Sequence, residues 1–459
     1  MHLRPYQSHL VKRCLDELNS NRVLLQLPTG GGKTVVFSSV AEDFILHGER
    51  VLVLAHRTEL IDQAVAKLQA IAQCQVGVIK SGVGRNPAAP VQVASVQTLA
   101  RSPHSCPPPD LVIIDEAHHA TSGSYRKILG AFPDAYQLGV TATPCRLDGK
   151  GLNDLFDVLV AGPSVKELTA KGFLCKYKLF RSEKAMATKW SRVKAGDYVA
   201  KDIASLNPIT ILSGNLVSNY KLHCQGKRCL VFAVNVEHST AIAERYNSYG
   251  IPAAHLDGGS PAGHRKATLD AFVRGEILVL SNVGLFTEGF DLPDLDAVQI
   301  ARPTKSLALW LQMVGRVLRP SANKTQGIIL DHTQNSKLLG LPNDRRTWSL
   351  AGMDRLGRPQ VISDSSERPY LPTEIIETDE ALSAFDEEAY FQDQLRFAQK
   401  HGYNIDFNSL IKLKDKYTCA DADGNEWTLK ELSHRFPDDS TICKILEDQN
   451  RAGKFSVSL

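Results

Sequence analysis

The sequence has no long hydrophobic run. Its longest apolar stretches, such as "VLVLA" at 51–55 and "ILVL" at 277–280, are far shorter than the roughly 20 residues that a membrane-spanning helix requires. The first ten residues also lack the apolar segment of a secretory signal. These absences argue against a membrane protein and predict a soluble chain that works in the cytoplasm.

Closely spaced cysteine pairs are lacking as well. Nine cysteines are present, but no two have the two-residue spacing of a zinc knuckle, and Cys224 and Cys229 have no second pair nearby. The odd number and the missing signal predict free thiols in a reducing compartment. We therefore predict no zinc site and expect each cysteine to be buried and inert.

A strong excess of one charge is also missing, because the formal net charge of the chain is only +3. Residues 1–335 contain 37 Lys and Arg against 28 Asp and Glu, whereas residues 336–459 contain 16 against 22. A basic first part is what binding to a polyanion would need, but an excess of this size identifies no partner.

What the sequence does have is a repeated alternation of short apolar runs and helical patterns. The runs lie at 22–27, 51–55, 91–95, 111–114 and 136–141, and again at 229–233, 277–280, 297–301 and 327–330. Such runs, separated by helices, are typical of parallel sheets that are covered on both faces. We predict an α/β fold with domains at 1–163 and 164–335. A linker and a small α+β region of unknown role would follow at 336–459, with a possible hairpin around Asp423 and Gly424.

The glycine-rich segment "LPTGGGKT" at 27–34 lies between a predicted strand and a predicted helix. Consecutive glycines let several backbone N–H groups point at an anion, and the helix N-terminus adds its positive end. Lys33 would bind the outer phosphates of a nucleotide, and the Thr34 hydroxyl would bind Mg²⁺. A flexible glycine turn would explain the glycines, but not Gly-Lys-Thr at a strand-to-helix junction. The predicted nucleotide-binding residues here are Pro28, Thr29, Gly30, Gly31, Gly32, Lys33 and Thr34.

The segment "LVIIDEAHHA" at 111–120 delivers two carboxylates to the end of an apolar run. In open α/β sheets, ligands bind at the carboxyl ends of the strands. Asp115 would hold Mg²⁺, and Glu116 would orient and deprotonate the attacking water. A helix start that favours acids would explain the pair if this segment stood alone. We expect His118 to be a hydrogen-bonding link to the rest of the site and His119 to be a surface residue.

These segments resemble the DEAH-box helicases and translocases of superfamily 2. The resemblance covers roughly residues 1–335 and implies two RecA-like P-loop domains that use ATP and Mg²⁺. "LRPYQ" is similar to the family's adenine-recognising segment, which gives that role to Arg4 and Gln7. A glutamine amide can indeed pair with adenine through two hydrogen bonds.

Three more segments of the first half follow the family pattern. "LAHRTELIDQ" at 54–63 and "ASVQTL" at 94–99 resemble its DNA-facing motifs, and "TATP" at 141–144 resembles the segment that couples hydrolysis to strand handling. The predicted nucleic-acid contacts are His56, Arg57 and Thr98.

In the second half, "LVFAVNVEHS" at 230–239 and "SNVGLFTEGFDLP" at 281–293 resemble the next family motifs. The resemblance implies that Gly289 and Asp291 face the nucleotide and that Ser281 meets a phosphate of the strand. The finer likeness is to RadD-type repair helicases and to ATPases of phage and restriction systems. RadD-like chains often carry a C-terminal cysteine cluster for zinc, which this sequence lacks.

The last motif, "QMVGRVLRP" at 312–320, supplies Gln312, Arg316 and Arg319. A solvated helix end would explain two arginines, since positive charge near a helix C-terminus is favourable. Arginine's planar fork of donors also suits phosphate, and in the family both arginines would act on the nucleotide.

The predicted function is an ATP-dependent DNA helicase or translocase of repair or recombination, with DNA as partner and with possible repair or nuclease proteins. One alternative is the motor subunit of a restriction-type nuclease complex. Others are an RNA helicase and a clamp that uses ATP only as a switch.

Overall fold

The computed structural model describes most of the first 352 residues and a few short strands beyond them. The described residues are 3–181, 191–206 and 209–352, except Leu147, Ala195, Glu288, Phe290, Asp291, Pro293 and Asn323, and then 360–361, 375–377, 419–420 and 426–427. The chain forms two compact units. The first comprises Met1–Leu206 and Leu216–Asp379, and the second comprises Asn207–Asn215 and Glu380–Leu459.

Seven parallel strands build the first sheet. They are β1 (Val23–Gln26), β2 (Val51–Ala55), β3 (Val76–Ile79), β4 (Val91–Ser95), β5 (Leu111–Asp115), β6 (Tyr136–Thr141) and β7 (Val158–Ala161). Their order is β3-β4-β2-β5-β6-β1-β7, so β5, which precedes the two carboxylates, is the middle strand, and β1, which precedes the glycine-rich segment, lies next to the edge strand β7. The inner strands β1, β2 and β5 are buried along their whole length, which is why they read as continuous apolar runs.

The helices of this half lie on the two faces of the first sheet. They are α1 (Pro5–Leu18), α2 (Lys33–Leu46), α3 (Thr58–Ala72), α4 (Val96–Leu99) and α5 (Gly123–Ala131), with 3₁₀ turns at Pro103–Ser105 and Ala117–His119. One apolar core contains residues of α1, α2 and α3, and a second contains residues of α4 and α5. A parallel sheet with both faces covered by helices results.

A second parallel sheet follows. Its strands are β8 (Lys176–Arg181), β11 (Cys229–Phe232), β12 (Ala253–Leu256), β13 (Val279–Asn282), β14 (Ala297–Ile300), β15 (Gln326–Asp331) and β18 (Ile375–Glu377). The order is β12-β13-β11-β14-β15-β8-β18. Short antiparallel pairs join β9 (Val193–Lys194) to β10 (Asp197–Tyr198) and β16 (Arg346–Thr347) to β17 (Gln360–Val361). The predicted α/β fold with two parallel sheets is confirmed, whereas its exact domain boundaries stay predictions.

The helices of the second half include one, the helix of the last motif, that ends earlier than the sequence predicts. They are α6 (Val165–Ala170), α7 (Ala200–Leu206), α8 (Ile209–His223), α9 (Val236–Ser248), α10 (Ala262–Arg274), α11 (Leu307–Gly315) and α12 (Asn335–Leu339). The helical pattern of residues 306–318 predicts a single helix, but α11 ends at Gly315 and tightens into a 3₁₀ turn at Arg316–Leu318. Arg319 lies beyond this turn in extended backbone, so it does not share a helical face with Gln312.

Residues 340–352, which fall within the predicted linker region, contact both the first and the second half of the structure. Leu341 and Trp348 pack against the apolar core of the second sheet, and Leu350 packs against a core of the first. The Leu350 carbonyl accepts hydrogen bonds from the backbone N–H groups of Leu152 (2.8 Å) and Asn153 (3.2 Å). We call residues 340–352 the return segment, because here the chain returns from the second sheet to the first.

One buried arginine fixes the shape of the return segment. The guanidinium of Arg346 donates to the carbonyls of Leu339 (3.2 Å), Leu341 (2.7 Å) and Asp344 (3.2 Å), and its side chain is only 4% exposed. Burial lowers the pKa of Arg346 from its ordinary value. Several carbonyl partners offset the cost of burying the charge, so the segment has a defined fold rather than a linker's freedom.

The second unit shows two described strands, β19 (Cys419–Ala420) and β20 (Glu426–Trp427), which pair in antiparallel fashion. They flank the hairpin predicted around Asp423 and Gly424.

The cysteines whose side chains are described are free thiols, as predicted, and all but Cys74 are buried. Burial raises the pKa of Cys14 to about 12, which keeps the thiol protonated and unreactive. Among the described helices, none combines the length and the apolar character needed to span a bilayer.

Candidate nucleotide and strand-handling site

The glycine-rich segment forms a loop between β1 and α2. Gly30 (φ 83°) and Gly32 (φ 88°) adopt left-handed backbone, and Gly32 is the residue at which α2 begins. Residues other than glycine rarely adopt this conformation, so the loop's path depends on the glycines. The segment therefore places Lys33 and Thr34 in the first turn of a helix, where backbone N–H groups and the helix dipole favour an anion.

The two carboxylates lie at the end of β5 and face this loop. The Nζ atom of Lys33 is 3.6 Å from Oε1 of Glu116, and both side chains are largely buried. Asp115 is also buried, and its Oδ1 accepts the backbone N–H of Glu116 (2.9 Å). The structure thus brings together the predicted phosphate-binding lysine, the predicted metal ligand and the predicted base.

Glu116 is held in an uncommon backbone conformation, with φ 49° and ψ 54°. For a residue other than glycine, this conformation costs on the order of 1–3 kcal/mol and persists only where the surroundings impose it. Among the described residues, Oε2 of Glu116 is buried and accepts no hydrogen bond. The carboxylate is therefore positioned by its surroundings and keeps one oxygen available for a further donor.

His118 makes the link that the sequence predicted. Its Nδ1 lies 3.1 Å from the Thr141 hydroxyl and 3.5 Å from Oε2 of Glu116. The same hydroxyl donates to the Thr143 carbonyl (3.0 Å) within "TATP". Glu116 is thus connected through one imidazole to the segment that follows β6.

His119 is not a surface residue, so that prediction is wrong. It is half-buried, and its ring centroid lies 4.1 Å from that of His118 and 4.5 Å from that of His56. The 3₁₀ turn Ala117–His119 keeps the two adjacent histidines close together. On an extended strand neighbouring side chains point to opposite faces, so this contact could not be predicted from the sequence.

The predicted adenine-recognising segment contacts the glycine-rich loop directly. The Gln7 side chain is buried, its Oε1 accepts the Arg4 backbone N–H (3.0 Å), and its Nε2 lies 3.5 Å from the Gly31 carbonyl. The Tyr6 hydroxyl donates to the same carbonyl at 2.7 Å. The start of α1 is thus tied to the phosphate loop.

Two aromatic residues at this place were missed from the sequence. The ring of Phe173, between α6 and β8, lies 5.3 Å from the ring of Tyr6 and 4.8 Å from the guanidinium carbon of Arg4. Tyr6 was inside the quoted segment and could have been found, because a tyrosine between Arg4 and Gln7 shares their surroundings. Phe173 could not be found from the sequence, since no motif contains it and its contact with Tyr6 and Arg4 forms only when distant parts of the chain pack together.

The last motif reaches the glycine-rich loop from the second half. A Cβ atom added at Gly315 would lie 2.6 Å from Cβ of Thr29, so only glycine allows this approach. A Cβ atom added at Gly30 would lie 3.4 Å from Cγ of Arg319. The stem of Arg319 therefore lies next to the phosphate loop.

Arg316 and Gln312 lie deeper in the second half. Arg316 is 4% exposed, and its Nη2 donates to the Thr287 carbonyl (2.8 Å). Gln312 is 2% exposed, and its Nε2 has no hydrogen-bond acceptor among the described residues. Arg316 is thus held by the motif around Thr287, and both side chains are shielded from solvent, which argues against a solvated helix end.

The predicted nucleic-acid contacts are found in several different environments. Arg57 donates from Nη1 to the carbonyls of Gly284 (2.8 Å) and Leu285 (3.0 Å), so it joins the two halves instead of projecting into solvent. His56 and Thr98 are half-buried. The Gln97 side chain beside Thr98 donates to the His56 carbonyl (3.1 Å).

In this structure, the hydroxyl of Ser281 is not exposed to a nucleic-acid strand, contrary to the prediction. It is fully buried, and its Oγ lies 2.7 Å from Oγ of Ser239, which in turn lies 2.7 Å from Nδ1 of His255. Its position inside β13 explains the difference, because the residue belongs to the sheet interior rather than to the loop that follows.

Gly289 approaches the first half. Its carbonyl accepts a hydrogen bond from Nε2 of Gln63, and a Cβ atom added here would lie 3.1 Å from Cγ of Leu60. The predicted nucleotide contact Asp291 lies outside the described residues. The face of α3 therefore packs on the same motif that Arg57 holds.

A cavity of 720 Å³ lies beside the phosphate loop, where the two halves are connected. Gln26 and Thr29 line it from the first half, Gly315 from the second, Ser164 from the connection after β7, and Thr347 and Trp348 from the return segment. The connection after β7 and the return segment therefore border the same cavity. Within the described ranges, no cluster of three or more histidine, cysteine or acidic side chains is arranged to hold a metal.

Two parallel sheets are covered by helices, and the phosphate loop of the first half is contacted by the second. This arrangement defines a nucleotide-dependent motor ATPase of RecA-like architecture. Residues 1–146 match the family "Type III restriction enzyme, res subunit", and residues 212–321 match "Helicase conserved C-terminal domain". The chain is 35% identical over 344 residues to the "51.5 kDa protein" of a Lactococcus phage (isolate 7-9), covering 74% of this chain and 72% of that protein. The chain belongs to the superfamily 2 helicases and restriction-type ATPases, and it is an ATP-hydrolysing enzyme of that class.

Two further relatives have informative names. The protein named "Putative ATP-dependent helicase IRC3" of Saccharomyces cerevisiae is 30% identical over 416 residues, which is 83% of this chain and 60% of that protein. The "DNA 3'-5' translocase XPB2" of Sulfurisphaera tokodaii is 26% identical over 363 residues, covering 69% of this chain and 78% of that protein. The chain thus spans 60–78% of the length of these two proteins.

A solved structure supports the same fold. The chain superposes on "the fragment structure of a putative HsdR subunit of a type I restriction enzyme" from Vibrio vulnificus YJ016 with a TM-score of 0.60. The two are 22% identical, and the match covers 78% of this chain and 68% of that fragment. The likeness confirms the predicted RecA-like, two-sheet architecture.

Proposed function

We propose that this protein is an ATP-driven motor that translocates on or remodels DNA in repair or recombination. One observation carries the proposal: the arginine-bearing motif of the second half is pressed against the phosphate loop of the first. Arg319 runs along Gly30, and Gly315 contacts Thr29. Nucleotide bound at that loop would be sensed by both halves, so hydrolysis would change their contact.

The site residues have distinct roles in this proposal. Lys33 would leave Glu116 and bind the outer phosphates, because the 3.6 Å contact between them cannot persist once Lys33 binds phosphate. Glu116, relieved of that partner, would hold and deprotonate the attacking water. Its buried Oε2, which lies close to His118 but accepts no hydrogen bond among the described residues, supports this role. Arg319 and Arg316 would stabilise the charge that develops on the transferring phosphoryl group.

Mg²⁺ fits the donors that lie here. The Asp115 carboxylate and the Thr34 hydroxyl are hard oxygen ligands of the kind that Mg²⁺ prefers, and Asp115 is buried beside the phosphate loop. Bound Mg²⁺ would neutralise phosphate charge. Gln7 and Arg4 would recognise adenine, with Tyr6 tying that recognition to Gly31, and Gly289, Asp291 and Gln312 would complete the site from the second half.

DNA is the track we propose. Support comes from the name of the archaeal relative, a DNA translocase, from the restriction-enzyme family that matches the first domain, and from the basic balance of residues 1–335. Contacts would be mainly to phosphate, and therefore sensitive to salt and tolerant of sequence. His56 and Thr98 are the accessible candidates, whereas Arg57 would need to leave the carbonyls of Gly284 and Leu285 before it could reach a DNA strand.

A second candidate is the motor subunit of a restriction-type nuclease complex. The family match of residues 1–146 and the fold shared with the HsdR fragment favour it. The motor chemistry would be the same, and a partner protein would supply cleavage. In either case we place the protein in the cytoplasm, on DNA, and repair or nuclease proteins are the partners we propose.

One set of assays tests the proposal. ATP turnover of the wild type is measured alone and with single strands, duplexes, forks, four-way junctions and RNA of matched sequence. We expect DNA to stimulate turnover more than RNA does, Lys33→Ala to abolish turnover, and Glu116→Gln to bind ATP without hydrolysing it. Stimulation by RNA that equals or exceeds that by DNA would overturn the choice of track. Normal turnover by Glu116→Gln would overturn the assigned base.

A further inference from the structure

The structure contains a line of contacts from Glu116 to the second half that does not pass through "TATP". We propose that His119, whose ring contacts that of His56 edge to face, is a positioning residue that couples the state of Glu116 to the strand-facing motifs. The inference rests on the proposed function, because it concerns how a strand would stimulate hydrolysis.

The first step is mechanical. The backbone N–H of His119 donates to the Glu116 carbonyl (3.0 Å), so Glu116 through His119 form one hydrogen-bonded turn. Glu116 stands at its start in left-handed backbone. A change in that strained conformation would therefore displace the rings of His118 and His119 together.

The second step is the contact between the rings. The His119 ring meets the His56 ring at 4.5 Å with an interplanar angle of 63°, an edge-to-face arrangement. His56 follows the end of β2, in the first of the predicted strand-facing motifs. Since His119 also lies 4.1 Å from His118, a displacement of the turn would press directly on His56.

The third step crosses to the second half. Nε of Arg57 lies 3.3 Å from Nε2 of His56, and Nη1 of Arg57 donates to the carbonyls of Gly284 and Leu285. The path thus runs from Glu116 through two imidazoles and one guanidinium to the loop after β13. A bound DNA strand that moved His56 or Arg57 would act on Glu116 by the same route, because coupling between two sites is reciprocal.

Coupling requires an element that can take two arrangements, and the turn that begins at Glu116 is that element. With Lys33 at 3.6 Å, Glu116 is engaged with a cation of its own chain. Once Lys33 binds phosphate, Glu116 would be released to hold water, and the turn would then be free to take a second position. A strand that favours the second position through His56 would raise the rate of hydrolysis.

The test compares basal and DNA-stimulated ATP turnover of His119→Ala, His119→Gln and His119→Phe with the wild type. His104→Ala is the matched control, since His104 is an exposed histidine of the same half that stacks on Phe132. We expect His119→Ala and His119→Gln to keep the wild-type KM for ATP and basal rate within about twofold and to lose DNA stimulation by about fivefold or more. His119→Phe keeps a flat ring and should retain most of the stimulation.

A double variant completes the test. If the two rings act as one unit, His56→Ala combined with His119→Ala should lose no more stimulation than His56→Ala alone, because the losses are not independent. Stimulation of His119→Ala equal to the wild type, or losses that multiply in the double variant, would overturn the coupling while leaving the motor function intact. Should a melting curve show that His119→Ala is unfolded, the Gln and Phe variants decide in the same way. A wild type that no nucleic acid stimulates would overturn the proposed function, and the coupling with it.

Discussion

At the scale of single residues, Arg316 and Arg319 lie at the end of a tightened helical turn and have different surroundings. Arg319 follows the phosphate loop, whereas Arg316 is buried and bonded to Thr287. A solvated helix end would place both side chains in water. The structure supports the interpretation that Arg319 acts on the nucleotide directly and that Arg316 also joins two motifs of the second half.

We predict that Arg319→Ala and Arg316→Ala each fold, bind ATP and lose DNA-stimulated turnover by roughly 10³-fold or more, the range of an arginine that stabilises phosphoryl transfer. Arg319→Lys should restore little, because a point charge does not reproduce the planar fork. Turnover and ATP affinity are measured for each variant.

Arg274→Ala is the control for both arginine variants, since Arg274 is exposed and paired with Glu276 in the same half. Near-normal stimulated turnover in both variants would show that neither arginine acts in hydrolysis.

At the scale of elements, the return segment depends on one glycine of the first half. A Cβ atom added at Gly151 would lie 2.1 Å from the Leu350 carbonyl oxygen and 2.5 Å from the carbonyl carbon of Ala351. Backbone atoms at that distance must move, so a side chain at 151 cannot coexist with the return segment in its present place.

Gly151→Ala should therefore detach Leu350 and lower the free energy of unfolding by about 1–3 kcal/mol, the usual cost of overpacking. Hydrogen exchange at the backbone N–H of Leu152, which donates to Leu350, should become faster, and a mass-spectrometric exchange experiment would detect it. Gly263→Ala serves as the control, because no heavy atom lies within 4 Å of the added Cβ. Unchanged exchange at Leu152 would show that the return segment tolerates the side chain.

The elements also show how far the sequence could predict the fold. Strands β1, β2, β5, β11 and β14 were predicted because central strands of a parallel sheet are apolar on both faces. Among the described residues, β3, β7, β12 and β18 form the sheet edges, and they were not predicted. An edge strand is only partly buried, as in β7 and β12, so it need not be the continuous apolar run that marks an inner strand. In β3, only Gly77 and Ile79 are buried.

The same distinction applies to the site. Residues adjacent in sequence, such as Lys33 within the loop and Asp115 beside Glu116, could be predicted from their motifs. Contacts between distant segments could not: Phe173 on Tyr6, His119 on His56 and Leu350 on Leu152 all depend on how the halves and turns pack. No local spacing contains that information.

At the scale of the whole molecule, one buried histidine links stability to pH. His238 is 1% exposed, its Nδ1 accepts the backbone N–H of Val234, and burial lowers the pKa of its imidazole from 6.5 to about 3. The unfolded chain binds this proton near pH 6.5 and the folded chain does not. Stability is therefore fully present above that pH and is lost as the pH falls below it.

We predict that acidification from about pH 7.5 to about pH 5 costs about 2 kcal/mol of unfolding free energy through His238 alone. His238→Asn keeps an acceptor for Val234 but has no titrating ring, so it should lose less stability over the same interval. Chemical unfolding at both pH values measures the difference, with His9→Asn, an exposed histidine, as the control. Equal pH dependence of His238→Asn and wild type would contradict the assignment.

The return segment makes the chain cross between the halves repeatedly within the described residues. The connection after β7 leads into the second sheet, residues 340–352 contact the first half again, and β18 then pairs with β8 of the second sheet. The connection after β7 and the return segment also border the same cavity. Any rotation of one half against the other would therefore change the width of this cavity and pull on the return segment, so the volume of the cavity would follow the angle between the halves.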